Sequence, residues 1–317
     1  MRGAASWCAL AALIFALLNT ASHRLVSHPP LAERGFVLIT GASSGIGRSA
    51  VLSLAARHPG WQQLAGVRRE SDVAALAALK LPNVRGLLLD VADGASRAAA
   101  AAEVARLAQS EDLPLLALVN NAGISRGAPV EHHDLADARA VFETNVFGAL
   151  GLTQLLLPAL RAARGRIVMV SSVAGFLSMP MTGVYAASKF ALEALSDALR
   201  RELRGEVAVC IVQPAYVKSA IFGSASAASH ALSGADAARA SYPHLFTPAR
   251  EAARTREIAG AAPTEATTDL AIEAALSDAR PLARAQVASA GGMHASLLRW
   301  IAWALPERLV DSLDGSG

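Results

Sequence analysis

Tyr185 and Lys189 are the two residues of this sequence whose spacing most directly suggests chemistry. Residues four apart share one face of a helix and lie about 6 Å apart along its axis. A tyrosine hydroxyl, with a pKa of about 10, is a poor base near neutrality, but an ammonium beside it favours the phenolate and lowers that pKa. Ser172 can bring a second hydroxyl to the same point. The pattern is typical of a general acid/base, although a half-buried tyrosine and a solvated lysine would show the same spacing.

A glycine-rich turn lies at the first junction between a predicted strand and a predicted helix. The apolar run 36–40 is typical of a buried parallel strand, and a helical pattern follows over 48–57. Between them, glycines let the backbone approach a ligand, and the helix start offers free N–H groups and a positive dipole end. This order of elements favours a dinucleotide site over a plain tight turn. The residues of the turn are Gly41, Ser43, Ser44, Gly45, Ile46 and Gly47.

Strands and helices alternate along the chain, as a doubly wound sheet requires. Polar or glycine residues follow the carboxyl end of six predicted strands, and in an open parallel sheet that edge binds ligands. We therefore predict a single α/β domain built on a doubly wound parallel sheet, with helices on both faces. The predicted strands are 36–40, 61–67, 85–89, 115–119, 166–170 and 207–212, and the predicted helices are 48–57, 71–80, 96–108, 137–161 and 182–204.

The end of the second predicted strand discriminates between the two nicotinamide cofactors. An acidic residue there would accept hydrogen bonds from the ribose 2′-hydroxyl of NAD. This sequence has Arg68 and Arg69 instead, and a guanidinium suits the 2′-phosphate of NADP. We expect NADP(H) to be preferred over NAD(H) through Arg68, the alternative being two ordinary solvated arginines at a strand end.

In order and spacing, these motifs resemble those of the classical short-chain dehydrogenases/reductases, over roughly residues 35–220. The run from Thr40 to Gly47 resembles the cofactor turn of that family, and Asn121-Ala122-Gly123 resembles the motif after its fourth strand. The catalytic tetrad of the family is also matched, with 13 residues between its serine and its tyrosine. The matching residues are Asn145, Ser172, Tyr185 and Lys189.

The resemblance implies a Rossmann-type fold and an NADP(H)-dependent oxidoreductase that interconverts a carbonyl and an alcohol by hydride transfer. Tyr185 would exchange a proton with the substrate oxygen, and Lys189 would lower the pKa of Tyr185 and bind the nicotinamide ribose. Ser172 would hydrogen-bond the substrate oxygen, and Asn145 would hold a water near Lys189. No metal is expected. A catalytically silent NADP-binding sensor or scaffold is the alternative, against which the intact tetrad argues.

Further cofactor contacts follow from the same resemblance. Besides the glycine turn, Arg68, Tyr185 and Lys189, they are Asp90, Val91, Asn121, Ala122, Gly123, Pro214, Val217 and Ser219. One position departs from the family, which usually has Pro-Gly after the sixth strand, whereas this sequence has Pro214-Ala215. The alanine puts the local geometry of that loop in doubt more than the activity.

The amino-acid composition limits the kinds of partner that the protein can bind. The chain has 317 residues, a formal charge of +3 and 5% aromatic residues, which argues against a nucleic-acid platform. With 53% hydrophobic and 17% charged residues, it is not a disordered chain. The only cysteines, Cys8 and Cys210, provide no disulfide scaffold and no zinc spacing.

The N-terminal segment 1–30 is predicted to be a hydrophobic anchor or targeting segment. Residues 4–18 are uncharged and largely apolar, but fifteen helical residues span only about 22 Å of the ~30 Å hydrocarbon core. That length suits an uncleaved anchor or a signal peptide, and we expect a membrane-associated or secretory location. A transit peptide for a plastid or mitochondrion is the alternative, since no acidic residue precedes Glu33.

The catalytic domain is predicted to cover 31–290, with a variable substrate loop at 220–262 and a weak candidate for a seventh strand at 281–290. The tail 291–317 is predicted to be amphipathic, as a core-packing helix or as an interfacial helix or lid. Together with the N-terminal segment, it suggests an apolar substrate such as a retinoid, a steroid or another lipid. The resemblance further suggests a homodimer or tetramer, in which helices 137–161 and 182–204 commonly form the interface.

Overall fold

A seven-stranded parallel sheet forms the centre of the structure, a computed structural model that describes residues 27–219, 221, 235–290 and 293–304. The strands lie side by side in the order β3-β2-β1-β4-β5-β6-β7, which is the doubly wound arrangement predicted from the sequence. They are β1 (Gly35–Thr40), β2 (Trp61–Val67), β3 (Val84–Leu88), β4 (Leu115–Asn120), β5 (Arg166–Val170), β6 (Ala208–Pro214) and β7 (Arg284–Val287). A short antiparallel pair follows, β8 (Ser289–Ala290) and β9 (Met293–His294).

Helices cover both faces of the sheet. The helices are α1 (Gly45–Arg57), α2 (Glu70–Ala77), α3 (Gly94–Glu111), α4 (Leu135–Phe142), α5 (Ala149–Ala162), α6 (Gly183–Glu202), α7 (Ala235–Ser241), α8 (Pro248–Ala259), α9 (Thr268–Ser277) and α10 (Ala295–Ala304). Because successive strand residues point to opposite faces, β1 supplies Leu38 to one core and Ile39 to the other. The first core includes apolar residues of α3, α5 and α6, and the second includes those of α1, α2 and α9.

The predicted single helix at 137–161 is interrupted in the structure. Between α4 and α5, residues Glu143–Gly148 form a π-helical turn. Such turns are rare and concentrate at functional sites. By length and composition, the segment Leu135–Ala162 is also long and apolar enough to cross a membrane, but 44% of its most apolar window is buried inside the protein. Leu152, Leu156 and Leu160 pack against the sheet, as in the core helix of a globular domain.

Other predictions are refined by the structure. The weak seventh-strand candidate contains β7, which pairs in parallel with β6. The described part of the predicted loop at 220–262 contains two helices, α7 and α8. The tail forms α10 as far as Ala304, whereas residues 305–317 and the apolar run at 4–18 lie outside the described residues. The predicted domain boundaries stay predictions.

Candidate active site

The glycine turn between β1 and α1 is shaped for close backbone approach. Gly41 and Gly45 have φ angles of +67° and +53°, a region that glycine adopts at little cost. A Cβ on Gly47 would lie 2.4 Å from the carbonyl oxygen of Gly41, so no side chain fits there. The Ser44 side chain at the N-cap of α1 accepts no capping hydrogen bond, which leaves the first-turn N–H groups available to a ligand. These features fit the pyrophosphate of a dinucleotide.

Thr40, the last residue of β1, joins this turn to the end of β4. Its Oγ1 accepts hydrogen bonds from the N–H groups of Asn121 (3.0 Å) and Ala122 (2.9 Å). The Asn121 side chain also binds Thr40, by donating its Nδ2 to the Thr40 carbonyl oxygen at 2.8 Å. The two loops predicted to hold the cofactor are therefore fixed to each other at the carboxyl edge of the sheet.

Tyr185 lies in the first turns of α6, facing Ser172 at the end of β5. The Ser172 hydroxyl hydrogen-bonds to Tyr185 and favours the phenolate, but burial dominates and raises the pKa of Tyr185 to about 12. The sequence prediction that Lys189 lowers this pKa is not met in the structure. The Lys189 Nζ lies 5.8 Å from the centre of the Tyr185 ring, and burial decides the direction in which the pKa of Tyr185 shifts.

Lys189 is itself buried, with 3% of its surface exposed. Its Nζ donates to the Val170 carbonyl oxygen at 2.9 Å, which ties α6 to the end of β5. Burial lowers the pKa of Lys189 to about 8, and the carboxylate of Glu193 acts in the opposite direction. The ammonium is therefore still charged at neutral pH.

Asn145 occupies the π-helical turn and is almost fully buried. Its Oδ1 accepts from the Ile124 N–H at 2.8 Å, and its Nδ2 donates to the Ile124 carbonyl at 3.0 Å and to the Ser188 hydroxyl at 3.0 Å. Ser188 in turn donates to the Tyr185 carbonyl at 2.6 Å. Asn145 thus links the loop after β4 to the helix that carries Tyr185 and Lys189.

Arg68 and Asp90 lie at the ends of β2 and β3, at the edge where the adenosine half of a dinucleotide is predicted to bind. Arg68 is exposed, whereas Arg69 is held by Asp72 through two hydrogen bonds of 2.9 and 3.1 Å. One oxygen of Asp90 accepts from the Ala92 N–H, so part of its role is local. Val91 is buried beside it.

The loop after β6 accommodates the alanine that departs from the family pattern. The φ angle of Ala215 is not positive, so an alanine fits the loop without backbone strain. Its N–H donates to the Val287 carbonyl at 2.9 Å. The Pro214 carbonyl lies 3.5 Å from the Ser172 hydroxyl, and Val217 is buried. Ser219 is the last residue described before the gap at 220. The predicted site residues thus lie in the loops at the carboxyl edge of the sheet, at the start of α1, in the π-helical turn and on α6.

Sequence reasoning missed two residues of this site. Ser188 connects Asn145 to Tyr185, and its only sequence signal is its place between the tyrosine and the lysine. Met181, just before α6, has a φ of +69°, which is uncommon for a residue with a side chain. Its carbonyl accepts from the Ala128 N–H at 3.0 Å. Nothing in the sequence marks a methionine for that conformation.

Within the described ranges, no three His, Cys, Asp or Glu side chains are grouped as metal ligands. The polar groups of the site are instead two hydroxyls, one ammonium and one carboxamide. They are arranged to bind an oxygen atom and exchange a proton with it.

Comparison with known proteins supports the resemblance seen in the sequence. The model of the short chain dehydrogenase family matches residues 35–230. A solved short-chain dehydrogenase from Streptomyces avermitilis has a TM-score of 0.64 and 26% identity, covering 89% of this chain and 94% of that one.

Three relatives differ in how much they share with the chain. An uncharacterized oxidoreductase of Escherichia coli, YbbO, is 43% identical over 185 residues, covering 58% of this chain and 66% of its own length, just under two thirds. NADPH-dependent 3-dehydrocapnine reductase of Ornithobacterium rhinotracheale is 32% identical over 285 residues, covering 88% and 95%. Human retinol dehydrogenase 16 is 40% identical over 188 residues, covering 59% and 58%.

Proposed function

The chain belongs to the short-chain dehydrogenase/reductase family of NAD(P)-dependent oxidoreductases, and from that premise we propose that it interconverts a carbonyl and an alcohol with Tyr185 as proton donor and acceptor. The observation that carries this proposal is the hydrogen bond between the Tyr185 and Ser172 hydroxyls, one helical turn from the Lys189 ammonium. A substrate oxygen placed between the two hydroxyls would receive a hydrogen bond from Ser172 and a proton from Tyr185.

The protonation states of Tyr185 and Lys189 fit the proposed proton exchange. With a pKa raised to about 12, Tyr185 is protonated at neutral pH and ready to donate. The charge on Lys189 stabilises the phenolate that remains after the proton has left. Asn145 holds the backbone of Ile124, and a Cβ on the adjacent Gly123 would lie 3.7 Å from the Lys189 Nζ, which supports its proposed part in a water-mediated proton path.

The residues that would hold the cofactor are those of the glycine turn, the Asn121–Gly123 loop and the loop from Pro214 to Ser219. When bound, a nicotinamide cofactor supplies or accepts the hydride. We propose NADP(H) as the preferred form. Arg68 supports this preference because it is exposed at the end of β2 while its neighbour is engaged by Asp72. The name of the Ornithobacterium relative, an NADPH-dependent reductase, is consistent with it.

We propose an apolar substrate, of the retinoid, steroid or lipid class. The segment between Ser172 and Tyr185 contains apolar residues close in sequence to the two hydroxyls. Phe176, Leu177, Met181 and Val184 are each partly exposed there, as the wall of an apolar pocket would be. Human retinol dehydrogenase 16 is a relative whose name indicates such a substrate.

Membrane association and self-association remain parts of this proposal. The apolar run at 4–18 supports a membrane-associated or secretory location. Exposed Phe147, Leu155 and Phe190 on the α4–α5 segment and on α6 support a dimer formed through these helices. Each exposes close to half of its surface, and a shared apolar interface would cover them.

The proposed reaction is tested by NADPH oxidation with a panel of carbonyls that contains retinal, steroid ketones and small polar compounds. We expect turnover of the apolar compounds, and a loss of about 10²- to 10⁴-fold in Tyr185→Phe with the affinity for NADPH retained. Turnover of the polar compounds alone would contradict the apolar substrate. NADPH binding without turnover across the panel would support the silent sensor or scaffold instead.

A further inference from the structure

Glu193 follows Lys189 by one turn on α6 and is likewise buried, with 7% of its surface exposed. Residues four apart on a helix lie on the same face with their Cβ atoms about 6 Å apart. A buried carboxylate is costly unless both oxygens are satisfied, so its partners show what holds it in place.

Both oxygens of Glu193 are bound by residues from the last two strands of the sheet. Gln213 of β6 donates its Nε2 to Oε1 at 2.8 Å, and Arg284 of β7 donates its Nε to Oε2 at 3.0 Å. The backbone is adapted as well, since a Cβ on Gly175 would lie 2.9 Å from the Glu193 Cγ. The loop after Ser172 therefore needs a glycine where it passes this carboxylate.

The remaining charged groups of the cluster lie farther along α6 or reach it from α10. Asp197, one further turn along α6, pairs with Arg284 at 2.6 Å and with Arg200 at 2.8 Å. Arg299 of α10 donates to the Gln213 Oε1 at 3.0 Å. On the Lys189 side, the ammonium faces the Tyr185 ring and the Val170 carbonyl, and Glu193 is the acidic residue whose charge acts on it.

We infer that Glu193 is a positioning residue, whose carboxylate is fixed on the face of α6 that carries Lys189 and keeps the neighbouring ammonium charged from one helical turn beyond the active site. Gln213 and Arg284 bind the carboxylate, so Glu193 acts on Lys189 through its charge and not through a hydrogen bond. The Lys189 ammonium donates to the Val170 carbonyl, and the negative charge of Glu193 offsets the cost of burying that cation. The last strands of the sheet would thereby set the charge available to Tyr185. The catalytic consequence rests on the proposed function, but the effect on Lys189 does not.

The sequence offers a direct measurement, because its only lysines are Lys80, Lys189 and Lys218. Protein labelled with carbon-13 at lysine Cε should give three signals, whose chemical shifts follow the charge on each amine. We expect Lys189 to titrate near pH 8 in the full chain. In Glu193→Gln we expect its midpoint to fall by about one pH unit or more, because losing the nearby negative charge favours the neutral amine.

Asp197→Asn is the matched control, because it also removes one negative charge from α6 and one carboxylate partner from Arg284. An unchanged Lys189 midpoint in Glu193→Gln, or an equal shift in both variants, would overturn the inference.

Arg284→Met gives a comparison of opposite sign. It keeps Glu193 but removes the positive charge beside it, so the midpoint of Lys189 should rise. A fall would contradict the inference equally. The titration needs neither cofactor nor substrate, so it remains informative if the proposed reaction is wrong.

Discussion

Asn145 holds the backbone of Ile124 at both of its polar atoms, accepting from the N–H at 2.8 Å and donating to the carbonyl at 3.0 Å. This two-point contact fixes the loop after β4 against the π-helical turn. It gives Asn145 a structural role in the cofactor loop in addition to its proposed role beside Lys189.

Asn145→Ala should lower the free energy of unfolding and weaken cofactor binding together. The substitution leaves the buried polar groups of Ile124 without partners, at a cost of about 2–4 kcal/mol. Urea unfolding and NADPH titration would measure the two effects. Asn83→Ala is the matched control, because Asn83 is a buried asparagine bound to the Ala55 carbonyl, far from the site. It should lose stability and keep its affinity for NADPH; an equal loss of affinity in both variants would contradict the assignment.

Ser172→Ala should reduce turnover by about tenfold to a hundredfold, as expected for the loss of one hydrogen bond of ~1.5–3 kcal/mol to a developing charge. Steady-state kinetics of NADPH oxidation would measure it. Ser171→Ala makes the same substitution at the neighbouring residue, whose buried Oγ has no hydrogen-bond partner in the described structure. That variant should keep nearly full turnover, and equal losses in the two serine variants would argue against a contact specific to Ser172.

Arg68→Ala should weaken binding of NADPH by about tenfold or more and leave NADH nearly unchanged, because only NADPH carries the 2′-phosphate. Cofactor-induced thermal stabilisation would compare the two nucleotides. Arg69→Ala is the control, since the Arg69 guanidinium is already engaged by Asp72. If NADH stabilises the wild-type protein as strongly as NADPH does, the proposed preference fails.

The buried lysine predicts a pH dependence of stability. The pKa of Lys189 is about 8 in the folded protein, below the ordinary lysine value of 10.5. Since the unfolded chain binds more protons between these values, stability should rise with pH across that window, by ~1.4 kcal/mol per pH unit at most. The contribution is lost as the pH falls towards 8.

The comparison with Lys189→Met isolates this contribution, because other groups titrate equally in both proteins. The difference in unfolding free energy between wild type and Lys189→Met should increase in favour of the wild type from pH 8 to pH 10. Urea unfolding at several pH values would measure it. A difference that stays constant would show that the lysine titrates normally in the folded protein.

Phe147→Glu should convert a dimer formed through α5 and α6 into monomers, since a carboxylate at the centre of an apolar interface would be buried without a partner. Light scattering after size-exclusion chromatography would measure the mass. Leu88→Glu on β3 is the control at a similarly exposed apolar residue outside these helices. A monomeric wild-type protein would remove the basis of the prediction.

The sequence predicted the sheet and the location of the site well because both depend on local patterns. Apolar runs ending in glycine or polar residues marked β1, β4 and β5, and the spacing of Tyr185 and Lys189 placed both on α6. The pKa of Tyr185 was predicted in the wrong direction because burial, which depends on the whole fold, raises it by more than the hydrogen bond from Ser172 lowers it. The π-helical turn carries no sequence pattern of its own. The charged cluster around Glu193 joins residues up to 91 positions apart, so no local spacing could reveal it.

The π-helical turn makes the position of Asn145 sensitive to chain length rather than to residue identity. A π turn holds about one residue more than an α turn, so removing one residue from 143–148 would restore continuous α-helical hydrogen bonding. The helices on either side would keep nearly the same relative rotation, because the π turn absorbs its extra residue by widening, but the side chains inside the turn, Asn145 included, would point in new directions. A homologue that lacks one residue in this segment could still align with an asparagine at position 145. The side chain of that asparagine would nevertheless point elsewhere, so the length of the segment matters as much as the identity of its residues.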